Sequence, residues 1–218
     1  MPTPSKSGWF VPEANRIVSP NFNSRTRPIK MVVMHTTVAP RETRDNRDRI
    51  ERWFRNKGKS STHFCILRDG TILQGVSTLD MAWHAGESSW ARLNAPKSST
   101  SVNQWAIGID FDTLGRLKSK GGELFDCYGK KYTGNAVELN GRWFDPFTFE
   151  QIDAVRCLLP ILVEEYKIDV KDVVGHCDVS PGRKTDPEPI FPWGVVLSSI
   201  EYGCEPGEMN RLKRYSET

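Results

Sequence analysis

The sequence has little of several features that mark common protein classes. None of its apolar runs is long enough to cross a bilayer. The N-terminal segment MPTPSKSGWFVPEANR lacks the apolar centre of a secretory signal peptide. The five cysteines are odd in number and include no C-x-x-C pair, which argues against a disulfide framework and a four-cysteine zinc site. We therefore expect a chain made in the cytoplasm, with mostly free thiols and no membrane span.

Charge of one sign is not in large excess either. The 218 residues carry 30 Lys plus Arg and 27 Asp plus Glu, a formal charge of +3. The sequence shows neither the basic stripe nor the basic motif that nucleic-acid-binding proteins usually carry. We therefore predict no nucleic-acid partner.

The order of strand-like and helix-like segments predicts one α/β domain with a mixed central β-sheet flanked by helices. Residues 1–28 are rich in Pro, Ser and Asn and are predicted to form an N-terminal arm. Residues 29–204 form the predicted domain, and residues 205–218 a polar C-terminal tail. Within the domain, residues 114–143 are predicted to be an insertion with a hairpin, since a plain loop of that length is unusual. A wall of a substrate groove and a structural flap are both open interpretations of this insertion.

Local patterns place several boundaries. Asp69-Gly70, between the strand-like runs THFCILR and TILQGV, predicts a β-hairpin. Thr148, followed three residues later by Gln151, predicts a capping box at the start of a helix that runs to about Tyr166.

A further helix is predicted over residues 42–57. Its apolar residues Ile50, Trp53 and Phe54 recur among many charges, and Gly58 ends the pattern.

The chain contains only four histidines, and two of them follow buried-strand patterns. His35 closes MVVMH, His176 closes DVVGH, and Asp186 follows in the loop SPGRKTDP. Strand ends are rigid positions from which side chains can converge on one point. Two imidazoles and one carboxylate suit zinc and leave a fourth position for water, as in catalytic zinc sites. From the spacing alone, a zinc site and ordinary core or surface histidines both remain open.

Longer segments resemble a known family. VVMHTT, THFCILRDGTILQ, MAWHAG, NQWAIGIDFD and VVGHCDVSPGRKTDP are similar, in order and spacing, to the N-acetylmuramoyl-L-alanine amidase type 2 family. That family includes AmpD-like amidases and T7-type lysozyme and is related to the peptidoglycan recognition proteins. The resemblance implies a zinc-dependent hydrolase that cleaves the amide bond between N-acetylmuramic acid and L-alanine in peptidoglycan or muropeptides. The alternative is a non-catalytic peptidoglycan-binding module, whose members typically lose a zinc ligand.

The resemblance also implies the roles of individual residues. His35, His176 and Asp186 match the ligands of a Zn²⁺ ion, and Lys184 matches the catalytic lysine. A purely structural zinc site would need a fourth protein ligand, and the sequence offers no obvious one.

The proton-transfer role is assigned to Asp110 in AIGID, where AmpD-like enzymes carry a catalytic glutamate and T7-type enzymes a tyrosine. Asp112 is the alternative, because alternate residues of a strand share a face. Trp83 and His84 match the WHAG segment that lines the family's substrate groove. The alternative for this pair is a packed aromatic residue beside a hydrogen-bonded imidazole.

The resemblance leaves the biological setting open. A recycling enzyme, a phage endolysin and a toxin delivered by a secretion machine are all compatible with it. The predicted enzyme acts in the cytoplasm on recycled muropeptides or on the wall after delivery or lysis. An immunity or delivery partner is compatible with the last of these settings, and its identity is unknown.

Overall fold

The structure is a computed structural model that describes residues 7–38, 46–58 and 60–203, so the predicted tail at 205–218 lies outside the described residues. The helices are α1 (Asn46–Arg55), α2 (Ser101–Trp105), α3 (Phe149–Tyr166), α4 (His176–Val179) and α5 (Trp193–Tyr202). The strands are β1 (Phe22–Ser24), β2 (Met31–Thr36), β3 (Phe64–Ile66), β4 (Ile72–Gln74), β5 (Asp80–Ala82), β6 (Ser88–Trp90), β7 (Ala95–Ser98), β8 (Ala106–Phe111), β9 (Arg116–Lys120), β10 (Glu123–Phe125), β11 (Val137–Leu139), β12 (Arg142–Phe144) and β13 (Val173–Gly175).

A five-stranded mixed sheet in the order β13-β2-β8-β3-β4 forms the centre of the fold. Strands β13, β2, β8 and β3 are parallel to their neighbours, and β4 returns antiparallel to β3. The turn between β3 and β4 contains Gly70 at φ +83°, a left-handed conformation that glycine adopts at little cost. The predicted mixed sheet and the Asp69-Gly70 hairpin are confirmed.

The two faces of this sheet are buried by different elements. Val32, Met34, Ile107 and Ile109 point to the face covered by α3 and α5. The alternate residues of β2, such as Met31 and Val33, face a second cluster around α2 and the β6–β7 hairpin. Each fully buried side chain of this size contributes about 1.5–3 kcal/mol of hydrophobic free energy. His35 shares the face of Met31 and Val33, so it points to the side of the sheet opposite α3.

The described part of the predicted arm, residues 7–28, packs against the rest of the domain. Its strand β1 pairs antiparallel with β5, and Val11 and Ile17 are buried. Arg25 donates hydrogen bonds to the backbone carbonyls of Asp80 and Ala106 at 2.8 and 3.0 Å, among others. Since these contacts reach into the central sheet, the arm packs as part of the domain.

The predicted insertion at residues 114–143 contains four strands. Strands β9 to β12 form a separate antiparallel sheet in the order β10-β9-β12-β11. It holds two hairpins, β9–β10 and β11–β12, and the pairing of β12 with β9 joins them into one sheet.

The cysteines agree only in part with the prediction of free thiols. Cys65, Cys127 and Cys177 are free. Cys157, on the buried side of α3, is disulfide-bonded. The wide spacing of the cysteines gave no signal for this bond.

No helix among the described residues is long and apolar enough to cross a membrane.

The capping box of α3 provides a stability test. The Thr148 hydroxyl accepts a hydrogen bond from the backbone N–H of Gln151 at 3.1 Å and donates one to the carbonyl of Arg68 at 2.7 Å. Thr148→Ala removes both, and we expect it to lower the free energy of unfolding by about 1 kcal/mol. Chemical denaturation measures the change. Thr148→Ser keeps the hydroxyl and serves as the control; equal stability of all three proteins would contradict the cap's contribution.

Candidate metal centre and active site

The parallel strands of the central sheet bring the predicted site residues to one edge. His35 on β2 is the register partner of Asp110 on β8, so the two lie side by side. His176 follows directly after β13, the other neighbour of β2. The carboxyl ends of parallel strands meet at the same edge of a sheet, which is where α/β folds usually bind ligands.

Asp186 completes a compact group of three metal-binding side chains. The Nδ1 atoms of His35 and His176 are 2.9 Å apart. The Oδ2 atom of Asp186 lies 3.3 Å from the first and 3.0 Å from the second. Tetrahedral zinc with bonds of 2.0–2.1 Å would hold its ligand atoms about 3.3 Å apart. The three donor atoms therefore already have nearly the spacing that one zinc ion requires.

The far ring nitrogens of both histidines have partners that suit metal binding. A histidine that binds a metal through Nδ1 keeps its proton on Nε2, and that proton needs an acceptor. The Nε2 of His176 lies 2.8 Å from the carbonyl oxygen of Ala85. The Nε2 of His35 lies 2.9 Å from the Nδ1 of His84. These partners fix both rings with Nδ1 directed at the shared point.

Burial and charge favour, in His35 and Asp186, the protonation states in which these side chains bind a cation. Burial lowers the pKa of His35 to about 4, and the hydrogen bond that its ring donates to Asp186 opposes this shift. For Asp186, burial would raise the pKa, but hydrogen bonds with His176 and His35 outweigh it and hold the pKa well below its usual range. Neutral imidazole and ionised carboxylate are the forms that bind metal.

The ring of His84 packs against Gly108, and a larger residue at position 108 would collide with it. A Cβ atom at Gly108 would lie 2.6 Å from the ring of His84 and 2.9 Å from the hydroxyl of Thr62. The backbone N–H of Gly108 donates to Nδ1 of His63 at 3.0 Å, and burial lowers the pKa of His63 to about 3. The motif predicted His84 as a groove residue; it lines the pocket and also contacts a predicted metal ligand.

The structure separates the two candidate carboxylates. Asp110 lines the pocket together with His35, Lys184 and Asp186. Burial raises the pKa of Asp110 to about 7; Thr62 and Lys184 oppose this shift, and Asp186 adds to it. Asp112 is buried and forms a salt bridge with Arg49, and it is not among the described residues that line the pocket. Asp110 therefore has the position and the proton affinity that a proton-transfer group needs.

Short contacts hold the loop that carries Lys184 and Asp186. The backbone N–H of Lys184 donates to the carbonyl of Ser180 at 3.1 Å, and the N–H of Cys177 donates to the carbonyl of Asp186 at 2.8 Å. Arg183, which the sequence did not single out, donates to the carbonyl of Ala85 at 2.7 Å. These bonds place the Lys184 side chain, half-buried, in the pocket wall.

Another part of the pocket wall contains residues that the sequence did not predict. Trp53 of α1, Ser60 and Ser61 line the pocket, and the indole N–H of Trp53 donates to the Ser60 hydroxyl at 3.1 Å. Trp83, a predicted groove residue, is not among the described lining residues. Its indole N–H donates to Oδ1 of Asn23 at 2.6 Å, beside β1. The apolar periodicity of α1 predicted Trp53 as part of a helical stripe and gave no signal for this wall.

His84 provides a test of the metal centre that replaces none of its ligands. His84→Phe keeps a ring over Gly108 but removes the acceptor for Nε2 of His35. Loss of such a partner typically costs 10–100-fold in metal affinity, and we expect zinc affinity to fall by about that factor in a chelator-competition titration.

Trp83→Phe is the matched control, since the Trp83 indole bonds to Asn23 rather than to a ligand. Equal zinc affinities of the two variants would contradict the role of His84.

Comparison with known proteins assigns the family. The model of the Amidase_2 family, N-acetylmuramoyl-L-alanine amidase, matches residues 25–189. AmpD of Haemophilus influenzae, a 1,6-anhydro-N-acetylmuramyl-L-alanine amidase, is 29% identical over 209 residues, 88% of this chain and 95% of the relative. The N-acetylmuramoyl-L-alanine amidase AmiD of Escherichia coli is 34% identical over 122 residues, 56% of this chain and 35% of AmiD.

Solved structures agree with this assignment. The crystal structure of a selenomethionine derivative of AmpD has a TM-score of 0.61 at 24% identity, over 89% of this chain and 98% of that one. At this identity the likeness shows the fold. The complex of Escherichia coli AmiD with anhydro-N-acetylmuramic acid-L-Ala-D-gamma-Glu-L-Lys has a TM-score of 0.58 at 28% identity, over 78% of this chain and 57% of that one. The predicted fold and family are confirmed: the chain belongs to the N-acetylmuramoyl-L-alanine amidase type 2 family of enzymes.

Proposed function

We propose that this chain is a zinc-dependent hydrolase that cleaves the amide bond between N-acetylmuramic acid and L-alanine in muropeptides. The observation that carries the proposal is the convergence of His35, His176 and Asp186, with a buried carboxylate and a lysine in the same pocket. The family match and the 1,6-anhydromuramyl substrate in the name of AmpD support the bond and the substrate class.

The donor set fits zinc. It comprises two imidazole nitrogens and one carboxylate oxygen, within 4.8 Å of one another, and no fourth such ligand joins the group among the described residues. Three protein ligands with an open position are the pattern of catalytic zinc sites. Zinc held by these residues would polarise the amide carbonyl and lower the pKa of a bound water towards about 7.

Asp110 is the proposed general base and acid. Its carboxylate accepts the proton of the attacking water and later gives it to the amino group of the departing L-alanine. A pKa of about 7 suits both steps, because the group can exist in either form near neutral pH. Aspartate is one methylene shorter than the glutamate of AmpD-like enzymes. Its placement beside His35 in the sheet register puts it next to the metal ligands despite that length.

Lys184 is the proposed partner of the oxyanion. The carbonyl oxygen gains negative charge when water attacks, and a positioned cation stabilises that charge more than it stabilises the ground state. Lys184 sits two residues from the ligand Asp186 in the loop secured by Ser180 and Cys177. The loop thus carries both a ligand and a cation to the same pocket.

Trp53, Ser60 and Ser61 form the uncharged wall of the pocket. An aromatic face and hydroxyl groups suit the ring and hydroxyls of an amino sugar, so we assign this wall to the muramic acid part of the substrate. The charged residues of the pocket are then assigned to the peptide.

Product analysis tests the proposed function directly. Purified protein with zinc is incubated with 1,6-anhydro-muropeptides and, separately, with intact sacculi, and the products are identified by mass spectrometry. We expect free peptides with an L-alanine amino terminus and an intact muramyl lactyl acid, and loss of both after zinc removal. Activity that survives complete removal of the metal would contradict the zinc assignment. Tight binding without any cleavage would support a non-catalytic binding module instead.

Two substitutions test the roles within the site. Asp110→Asn should lower kcat by about 10²–10⁴-fold, and Lys184→Met by about 10²–10³-fold, with zinc content near one per chain in both. Steady-state kinetics and metal analysis measure these quantities.

Asp112→Asn is the control for the choice of carboxylate. Because Asp112 pairs with Arg49 outside the pocket lining, its substitution should lower stability but leave kcat of the folded enzyme near the wild-type value. If Asp112→Asn lost kcat and Asp110→Asn kept it, the assignment of the base would be wrong.

A further inference from the structure

The insertion sheet forms a second groove beside the proposed active site. This groove has a volume of about 610 Å³ and is lined by residues of β9 and β12 together with Val38 and Thr185. Val38 also lines the pocket of the metal centre, and Thr185 lies between Lys184 and Asp186 in the chain. The Tyr128 hydroxyl donates to the Val38 carbonyl at 3.1 Å, which attaches the insertion to the end of β2. The groove therefore continues from the catalytic pocket.

Basic side chains dominate the insertion side of the groove. Arg116, Lys118 and Arg142 line it and are exposed. Trp143 is paired with Leu117, so one further step of the same antiparallel register places Arg142 next to Lys118. Among the described residues, no acidic side chain forms a salt bridge with any of the three.

Two cations at neighbouring cross-strand positions repel each other and destabilise a sheet. A sheet that keeps such a pair without a protein counter-charge is suited to bind an anion, which would remove the repulsion.

Glu188 is the acidic side chain among the described residues that line the groove; its charge interacts with Arg116 and is not paired with Lys118 or Arg142. It is only 4% exposed, and the backbone of Arg116 hydrogen-bonds to its carboxylate. Its Oε1 is packed close to Gly115, where an added Cβ would lie 2.6 Å away. The surface that a ligand meets is therefore positive, with the indole of Trp143 beside it.

The chemistry of a muropeptide identifies which part would enter this groove. The anhydro-sugar carries no free carboxylate once its lactyl group is in the amide. In a stem such as L-Ala-D-gamma-Glu-L-Lys, the gamma linkage leaves the α-carboxylate of glutamate free, and the last residue carries another. An extended chain advances about 3.3–3.6 Å per residue, so the second and third residues lie roughly 7–11 Å from the cleaved bond. The negative charge of the substrate thus lies beyond the L-alanine, on the peptide side.

We propose that the groove between β9, β12 and the 184–188 loop binds the free carboxylates of the peptide stem, with Arg142 and Lys118 as the residues that recognise them. This inference rests on the proposed amidase function and adds a substrate preference to it. The enzyme should prefer peptide stems with free carboxylates to stems whose carboxylates are amidated. Arginine suits the role because its planar guanidinium pairs with a carboxylate through two hydrogen bonds.

The experiment compares two synthetic substrates of the full-length zinc enzyme. One is anhydro-N-acetylmuramyl-L-Ala-D-gamma-Glu-L-Lys; the other carries carboxamides in place of its glutamate α-carboxylate and its C-terminal carboxylate. The wild-type enzyme should show a KM about tenfold lower for the carboxylate form, with similar kcat. Arg142→Glu and Lys118→Glu should each raise KM for the carboxylate substrate about tenfold, leave kcat unchanged and abolish the preference. A KM effect without a kcat effect is expected of contacts made equally in the ground and transition states.

Lys120→Glu is the matched control. Lys120 is an exposed residue of the same strand that is not among the described groove residues, and its substitution changes the net charge by the same amount as Arg142→Glu. It should leave both KM values unchanged. The inference is overturned if Lys120→Glu acts like Arg142→Glu, or if wild-type KM is the same for both substrates. If the wild-type enzyme cleaves neither substrate, the proposed function itself is contradicted. If it cleaves both substrates with equal KM, only the inference about the groove is contradicted.

Discussion

Two imidazole nitrogens held 2.9 Å apart beside a carboxylate oxygen are the arrangement on which the rest of the site depends. Three lone-pair donors this close repel one another unless a cation or a proton lies between them. Burial lowers the pKa of His35 to about 4, so a second proton on its ring does not supply that charge near neutral pH. The arrangement therefore becomes favourable when a metal ion binds. The carbonyl of Ala85 and the ring of His84 hold the two imidazole rings in the orientation that metal binding requires.

The central sheet explains why these side chains meet. Parallel pairing of β2 with both β8 and β13 places His35 beside Asp110 and brings His176 to the same edge. The hydrophobic faces of these strands, packed against α3 and α2, make the edge rigid. The loop that carries Lys184 and Asp186 then needs only a few backbone hydrogen bonds to complete the pocket. Trp53, Ser60 and Ser61 add uncharged side chains to the pocket, and basic residues of the insertion line the neighbouring groove.

Local sequence signals predicted the parts of this fold that local interactions determine. The Asp69-Gly70 turn, the Thr148 cap and the buried strands before His35 and His176 all lie where the patterns placed them. Contacts between distant segments were not predictable in this way. Trp53 was predicted as part of a helical stripe, but it lines the pocket. Arg25 was predicted to lie in an irregular arm, but it hydrogen-bonds to a central strand. Cys157 was predicted to be a free thiol, but it is disulfide-bonded. The choice between Asp110 and Asp112 likewise needed the position of Arg49, which only tertiary structure provides.

The most direct test of the zinc assignment is a crystal structure of the zinc-loaded protein with anomalous diffraction recorded on both sides of the zinc absorption edge. The account predicts one strong anomalous peak bonded to Nδ1 of His35, Nδ1 of His176 and an oxygen of Asp186, at about 2.0–2.2 Å from each. It also predicts that Nε2 of His35 still contacts His84. A peak elsewhere, binding through the Nε2 atoms, or no zinc at this edge of the sheet would contradict it.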